Sequence, residues 1–176
     1  MRLTQALSCE DPPHRAMNQD LGTQIAKLRA AEEIRHLKAR YAAVCDAGYP
    51  PEQMVPLFTQ DAVWDGGERF GRHEGIDAIY RFFEGVSSQI VWALHYMVAP
   101  IIDVADDLEM ATGSWYLWEP CTIVAEDGPQ AVWLTGTYAD RYRHEADGWK
   151  FSEVKLDCQT ISPIEQGWVQ RPFWNE

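Results

Sequence analysis

The chain has 176 residues, 46% of them hydrophobic, which is the size of one globular domain with a sizeable core. Its 15 Lys and Arg stand against 27 Asp and Glu, and the resulting net charge of −12 argues against nucleic-acid and anionic-membrane partners. No stretch nears the ~20 consecutive apolar residues of a membrane span, and the polar N-terminus with Pro12 and Pro13 lacks the apolar core of a secretion signal, so a soluble cytoplasmic protein is expected.

Residues 1–22 show no sustained apolar period and hold the Pro-Pro breaker, which predicts a flexible or loosely docked tail. From Thr23 the pattern changes. Ile25, Leu28, Ile34, Leu37, Tyr41 and Val44 recur at three- and four-residue intervals, with Glu32, Glu33, Arg35, Lys38 and Arg40 on the other positions. This is a long amphipathic helix, predicted to stop near Ala47-Gly48, where glycine takes the left-handed cap and Pro50-Pro51 forbid continuation. A short helix over 51–58, a brief strand over 61–65, turns at Gly66-Gly67 and Gly71–Gly75, and a third helix over 76–86 follow.

Beyond that point the chain reads as sheet. Strands are predicted over 91–99, 101–104, 108–119, 130–144 and 149–159, from their β-branched and aromatic content. Turn signals at Asp106-Asp107, Glu126 to Pro129 and Asp147-Gly148 separate them. Helices first and long antiparallel strands second define an α+β domain. Residues 161–176 carry Pro163, Trp168, Pro172, Phe173 and Trp174. So aromatic a tail is expected to cover a cavity or a neighbouring subunit. The four cysteines, Cys9, Cys45, Cys121 and Cys158, are widely spaced with no C-x-x-C pair and read as separate thiols.

The residue to explain is His95, the imidazole inside the apolar run V-W-A-L-H-Y-M-V-A at 91–99. It is either a satisfied core residue or a reagent, and candidate partners lie about fifty residues upstream at Tyr41 and Asp46. Proton abstraction beside a carbonyl or aromatic ring needs a base near neutrality, which a histidine supplies. Asp46 would fix its tautomer and stabilise the imidazolium, and the Tyr41 phenol would protonate a leaving hydroxyl or hold an oxyanion. No metal and no cofactor are needed. Five helical residues span about 500°, so Tyr41 and Asp46 converge on His95 only if Asp46 sits at the helix end. The plain alternatives are a core tyrosine with a hydrogen-bonded tip and a helix-end aspartate. His36, His73 and His144 read as surface residues.

Several words taken in order, E-I-R-H-L-K-A-R-Y-A-A-V-C-D at 33–46, L-F-T-Q-D-A-V-W-D at 57–65, G-R-H-E-G-I-D-A-I at 71–79, A-L-H-Y at 93–96, G-T-Y-A-D-R-Y at 136–142 and D-G-W-K-F at 147–151, resemble the SnoaL-like group of the nuclear transport factor two-like superfamily. That group includes polyketide cyclases, dehydratases, dehydrochlorinases and the small subunits of ring-hydroxylating dioxygenases. The resemblance covers residues 25–160. It implies a cone: three N-terminal helices packed in a strongly bent, mostly antiparallel sheet, here over 23–160, around an apolar pocket.

The resemblance further implies that Asp46 orients His95 as base, and that Tyr41 matches a tyrosine of bile-acid dehydratases. The further acid of those enzymes, on the strand after the histidine strand, is replaced by Trp118. With Trp118 facing inward, Tyr116, Trp118, Trp64 and Phe58 line the pocket, and Arg141 is placed to bind a substrate oxygen if it faces the cavity. Strand parity puts Trp92, Leu94 and Tyr96 opposite His95, toward another subunit of a homodimer or homotrimer. The implied activity is that of a cofactor-independent lyase, dehydratase or isomerase acting on a small hydrophobic, hydroxylated aromatic or polycyclic molecule. The alternatives are a non-catalytic small subunit of a dioxygenase-like assembly, or a small-molecule binding module.

Overall fold

The computed structural model describes the backbone of residues 13–175 and the side chains of residues 21–175. The first helix, α1 (Pro13–Asp46), begins ten residues before the predicted start. Proline lacks the N–H that a first turn leaves unbonded anyway, so Pro13 opens the helix instead of breaking it. The expectation of a tail at residues 1–12 lies outside the described residues. Helix α1 is about 50 Å long at 1.5 Å per residue. Its later turns bury Ile34, Leu37, Tyr41 and Cys45, whereas Leu21, Ile25 and Leu28 stay exposed.

One residue on this helix departs from the amphipathic reading. Lys38, assigned to the polar face, is buried with its ammonium 2.8 Å from Asp140. The 3.6-residue period puts it one position from Leu37 and three from Tyr41, so its stem runs along the inward stripe, and only a buried carboxylate makes that tolerable.

Helix α1 ends as the glycine predicts. Gly48 takes φ +91°, its N–H donates to Cys45 O, and the Tyr49 N–H reaches back to Val44 O. This 5→2 and 6→1 pair caps the helix. Tyr49 also has positive φ, +58°, a conformation an L-residue rarely takes without a reason in the surrounding structure. Helix α2 (Pro51–Met54) passes through a 3-10 turn, Val55–Leu57, into strand β1 (Phe58–Asp65), which therefore starts earlier than predicted. The segment read as turns folds into helix α3 (Gly67–Phe70) and strand β2 (Arg72–Glu74) before helix α4 (Ile76–Gln89).

The remaining strands are β3 (Ile90–Ala93), β4 (Tyr96–Val104), β5 (Met110–Ala125), β6 (Gly128–Glu145) and β7 (Gly148–Pro163). They form one strongly curved, unclosed seven-stranded sheet in the order β2-β1-β7-β6-β5-β3, with β4 also on β5. All pairings are antiparallel except β1 with β7. Among the described residues no helix is long and apolar enough to cross a membrane.

The predicted strand 91–99 is divided. β3 pairs with residues 121–123 of β5 and β4 with residues 111–118, so the edge changes strands at Leu94-His95. Pro100, expected to separate two strands, lies inside β4. It has no N–H to give a ladder, and the register shift between Val98 and Ile101, with Ala99 at φ +51°, accommodates it on this edge strand. At the C-terminus, helix α5 (Gly167–Gln170) leads to Phe173, which bridges Ile161, while the Trp174 N–H donates to Ile161 O at 2.7 Å.

Candidate active site

The strand exchange at Leu94-His95 sets the site. Leu94 N–H donates to Pro120 O, which brings His95 beside Glu119 on β5. Asp46 is the last residue of α1, where the helix no longer dictates facing, and its Oδ1 accepts from both the His95 backbone N–H and the ring Nδ1, each at 2.8 Å. The carboxylate thereby places the proton on Nδ1 and turns the Nε2 lone pair inward. The His95 ring is 4% exposed, against 29% for the Asp46 side chain, so the dyad spans from solvent to interior.

On the inward side, Glu119 Oε2 stands 3.3 Å from His95 Nε2, close enough for the two atoms to share one proton. The Tyr49 hydroxyl lies 3.4 Å from Nε2 and 3.5 Å from Glu119 Oε1. Burial raises the Glu119 carboxyl above the ordinary carboxylate range, more strongly than the nearby imidazole lowers it. Burial likewise pushes the Tyr49 phenol well up, which keeps it a proton donor. The site is an imidazole between a partly exposed outer carboxylate and a buried inner carboxyl whose charged form burial disfavours. Among the described residues no set of three or more His, Cys, Asp or Glu side chains is arranged to hold a metal ion.

The structure thus joins Asp46 and His95, and it corrects several other assignments. Tyr41 is core: its buried hydroxyl accepts from Trp64 Nε1 at 3.0 Å, and its ring packs edge-on against Phe58, Phe83, Tyr138 and Phe151. The tyrosine at His95 is Tyr49, which follows the helix cap and was not identified from the sequence. Gly48-Tyr49-Pro50 was a signal, because a residue just past a glycine cap is turned back onto the helix end. Trp118 does not take an inward place on β5; the inward acid there is Glu119, one residue on. Burial on β5 alternates, with Trp115, Leu117 and Glu119 inward, whereas Tyr116 and Trp118 are 60% and 40% exposed on the outer face.

Of the remaining candidates, Arg141 is on the outer face of β6, paired with Glu153 at 3.2 Å, because Asp140 takes the inward position. Phe58 is packed against Phe151 in the core, and Trp64 reaches the cavity wall. His73 is half-buried, stacked on Phe82, with its Nε2 2.8 Å from Phe70 O. Cys45, Cys121 and Cys158 are free thiols, and Cys9 lies outside the described residues.

Two chambers abut behind His95. The inner one, bounded by His95, Glu119, Tyr49, Tyr41, Trp64 and Tyr138, has about 30 Å³, room for one or two water-sized groups. The outer one has about 520 Å³ and shares Phe70, Phe82, Val86, Ile90 and Leu134 with the inner. Ile161 and Trp174 add apolar surface to it, so the C-terminal segment contributes to its wall.

A SnoaL-like domain model matches residues 26–155, and the chain belongs to that family. No curated protein sequence matches it. Among solved structures, LinA superposes with a TM-score of 0.72 at 16% identity, over 81% of this chain and 94% of LinA. The hexachlorocyclohexane dehydrochlorinase LinA-type3 from Novosphingobium barchaimii gives 0.66 at 18% identity, over 82% and 94%. A protein assigned as a scytalone dehydratase from Novosphingobium aromaticivorans gives 0.64 at 20%, over 84% and 99%. At these identities the likeness is one of fold.

Proposed function

We propose that this protein is a cofactor-independent lyase, a dehydratase or related eliminating enzyme, or an isomerase, acting on a hydroxylated aromatic or polycyclic small molecule. The observation that carries the reading is the buried His95 ring held by Asp46 on one nitrogen and facing Glu119 and Tyr49 with the other. In an elimination, His95 Nε2 takes the proton from carbon, the C–H electron pair becomes the new double bond, and the hydroxyl leaves as water with a proton from Glu119 or Tyr49. Asp46 stabilises the imidazolium. When Glu119 gives the proton, the 3.3 Å separation lets the imidazolium return one to it and reset the site. In an isomerisation the same proton is returned to another carbon. Membership of the SnoaL-like family and the folds shared with a dehydrochlorinase and an assigned dehydratase support this class.

The chamber sizes suit such a substrate. The ring body fits the apolar outer chamber, while only a small reacting group fits the inner end. The test is thermal stabilisation of wild type and His95→Ala by a panel of hydroxylated aromatics, steroids and polyketide-like rings, with mass analysis of each mixture. A ligand converted by the wild type, and bound but turned over about 10²–10⁴-fold more slowly by the variant, is the expected result. A ligand bound equally by both and converted by neither would make the pocket a binding site without turnover.

The reading includes a homodimer or homotrimer. An antiparallel sheet with one face on a core normally turns polar residues outward, yet the outer face of β3, β4 and β5 carries Trp92, Leu94, Tyr96, Tyr116 and Trp118. A second copy of the chain is the occupant proposed for it.

A further inference from the structure

The outer chamber is apolar along its walls but has two arginines, Arg69 from α3 and Arg81 from α4. Arg69 is positioned by the C-terminal segment: its guanidinium carbon lies 3.4 Å from the Phe173 ring centroid, and an N–H donates to Asn175 Oδ1 at 3.4 Å. Stacking on a ring face fixes the guanidinium plane, and in-plane donors are what grips a carboxylate. Arg81 is exposed on a regular stretch of α4, next to Phe82 in the wall shared by the two chambers, and it pairs with no carboxylate among the described residues. The opposite, inner end of the cavity is bounded by the Glu119 carboxyl. The cavity therefore has basic side chains at its outer chamber and a carboxyl at its inner end.

We infer that the outer chamber is a carboxylate-binding subsite, and that the ligand is an aromatic or polycyclic acid held by Arg69 and Arg81 with its ring toward His95. The chain's net charge of −12 would repel such an anion at long range. At physiological ionic strength, however, fields between exposed charges decay over about 8 Å, so a ligand in the chamber responds to the guanidinium groups lining it. Entering the other way round would bring its carboxylate into a buried space of about 30 Å³ beside the Glu119 carboxyl and away from both arginines. The inference rests on the proposed function for the orientation of the reacting end, but its test is one of binding alone.

The probes are 2-naphthoate and its uncharged amide, 2-naphthamide, titrated by calorimetry at moderate salt. Wild type is expected to bind the acid about tenfold or more tightly than the amide, as charge-assisted hydrogen bonds exceed neutral ones. Arg81→Gln, an exposed helical change, is expected to cut that preference below about threefold, with acid affinity falling more than amide affinity, and Arg69→Lys to reduce it in part. His95→Ala keeps the preference, so an inactive site and a charge-blind chamber give different results. Equal binding of acid and amide by wild type, binding of neither, or a preference that survives in Arg81→Gln would overturn the inference.

Discussion

Two carboxylates reach the same imidazole, and burial separates them. The Asp46 side chain is 29% exposed and Glu119 is 3%. The Glu119 carboxyl titrates higher in the folded chain than in the unfolded one, because burial disfavours its charge. Between those two values the folded state holds more protons than the unfolded state, so stability falls as pH rises. The contribution is fully present below the unfolded value and is lost through the folded one. Glu119→Gln removes the titration while keeping the shape and hydrogen bonds. Its urea midpoint, followed from about pH 4 to pH 9, is expected to lack the decline that wild type shows, so the variant gains relative to wild type on the alkaline side. Parallel curves would mean that the Glu119 carboxyl titrates alike in both states.

At the scale of the strand, β5 explains both what the sequence revealed and what it concealed. Asp46 and His95 were legible because each has a local marker: a glycine cap just after the aspartate, and a lone imidazole in an apolar run. Glu119 was not. The inward residues of β5, Trp115, Leu117 and Cys121, and the outward ones, Tyr116 and Trp118, are similarly apolar, so alternation alone does not say which face is the core. A one-residue shift in facing exchanges the two sets, and anchoring the frame on Trp118 turned the acid outward. The same fact predicts assembly. Trp92, 52% exposed on the outer face, stacks on no other ring among the described residues and is suited to test it. Wild type is expected to sediment as a dimer or trimer, and Trp92→Glu as a monomer with unchanged far-ultraviolet circular dichroism. A monomeric wild type would remove the subunit-contact role from this face.

The whole molecule is tied together by a pair that the helical period disguised. Lys38 on α1 and Asp140 on β6 meet at 2.8 Å with both side chains almost fully buried. The Tyr142 hydroxyl donates to the same Asp140 oxygen at 2.9 Å, and Trp115 Nε1 donates to Tyr142 in turn. The ammonium also lies 3.5 Å from the Tyr138 ring centroid, inside a cage that includes Tyr41 and Phe151. Since Tyr41 and Tyr138 line the inner chamber, the pair fixes the chamber floor by pinning the helix to the sheet. Such a pair contributes little net stability against an apolar replacement, but breaking it strands a buried charge. Lys38→Met is therefore expected to cost about 3–5 kcal/mol in chemical denaturation, whereas Lys38→Met with Asp140→Leu recovers most of the loss. Among the described residues none bonds the second oxygen of Asp140, which makes the uncompensated carboxylate of the single variant costlier still. A single variant that loses less than about 1 kcal/mol, or a double variant no better than the single, would show that α1 is held by its apolar stripe alone.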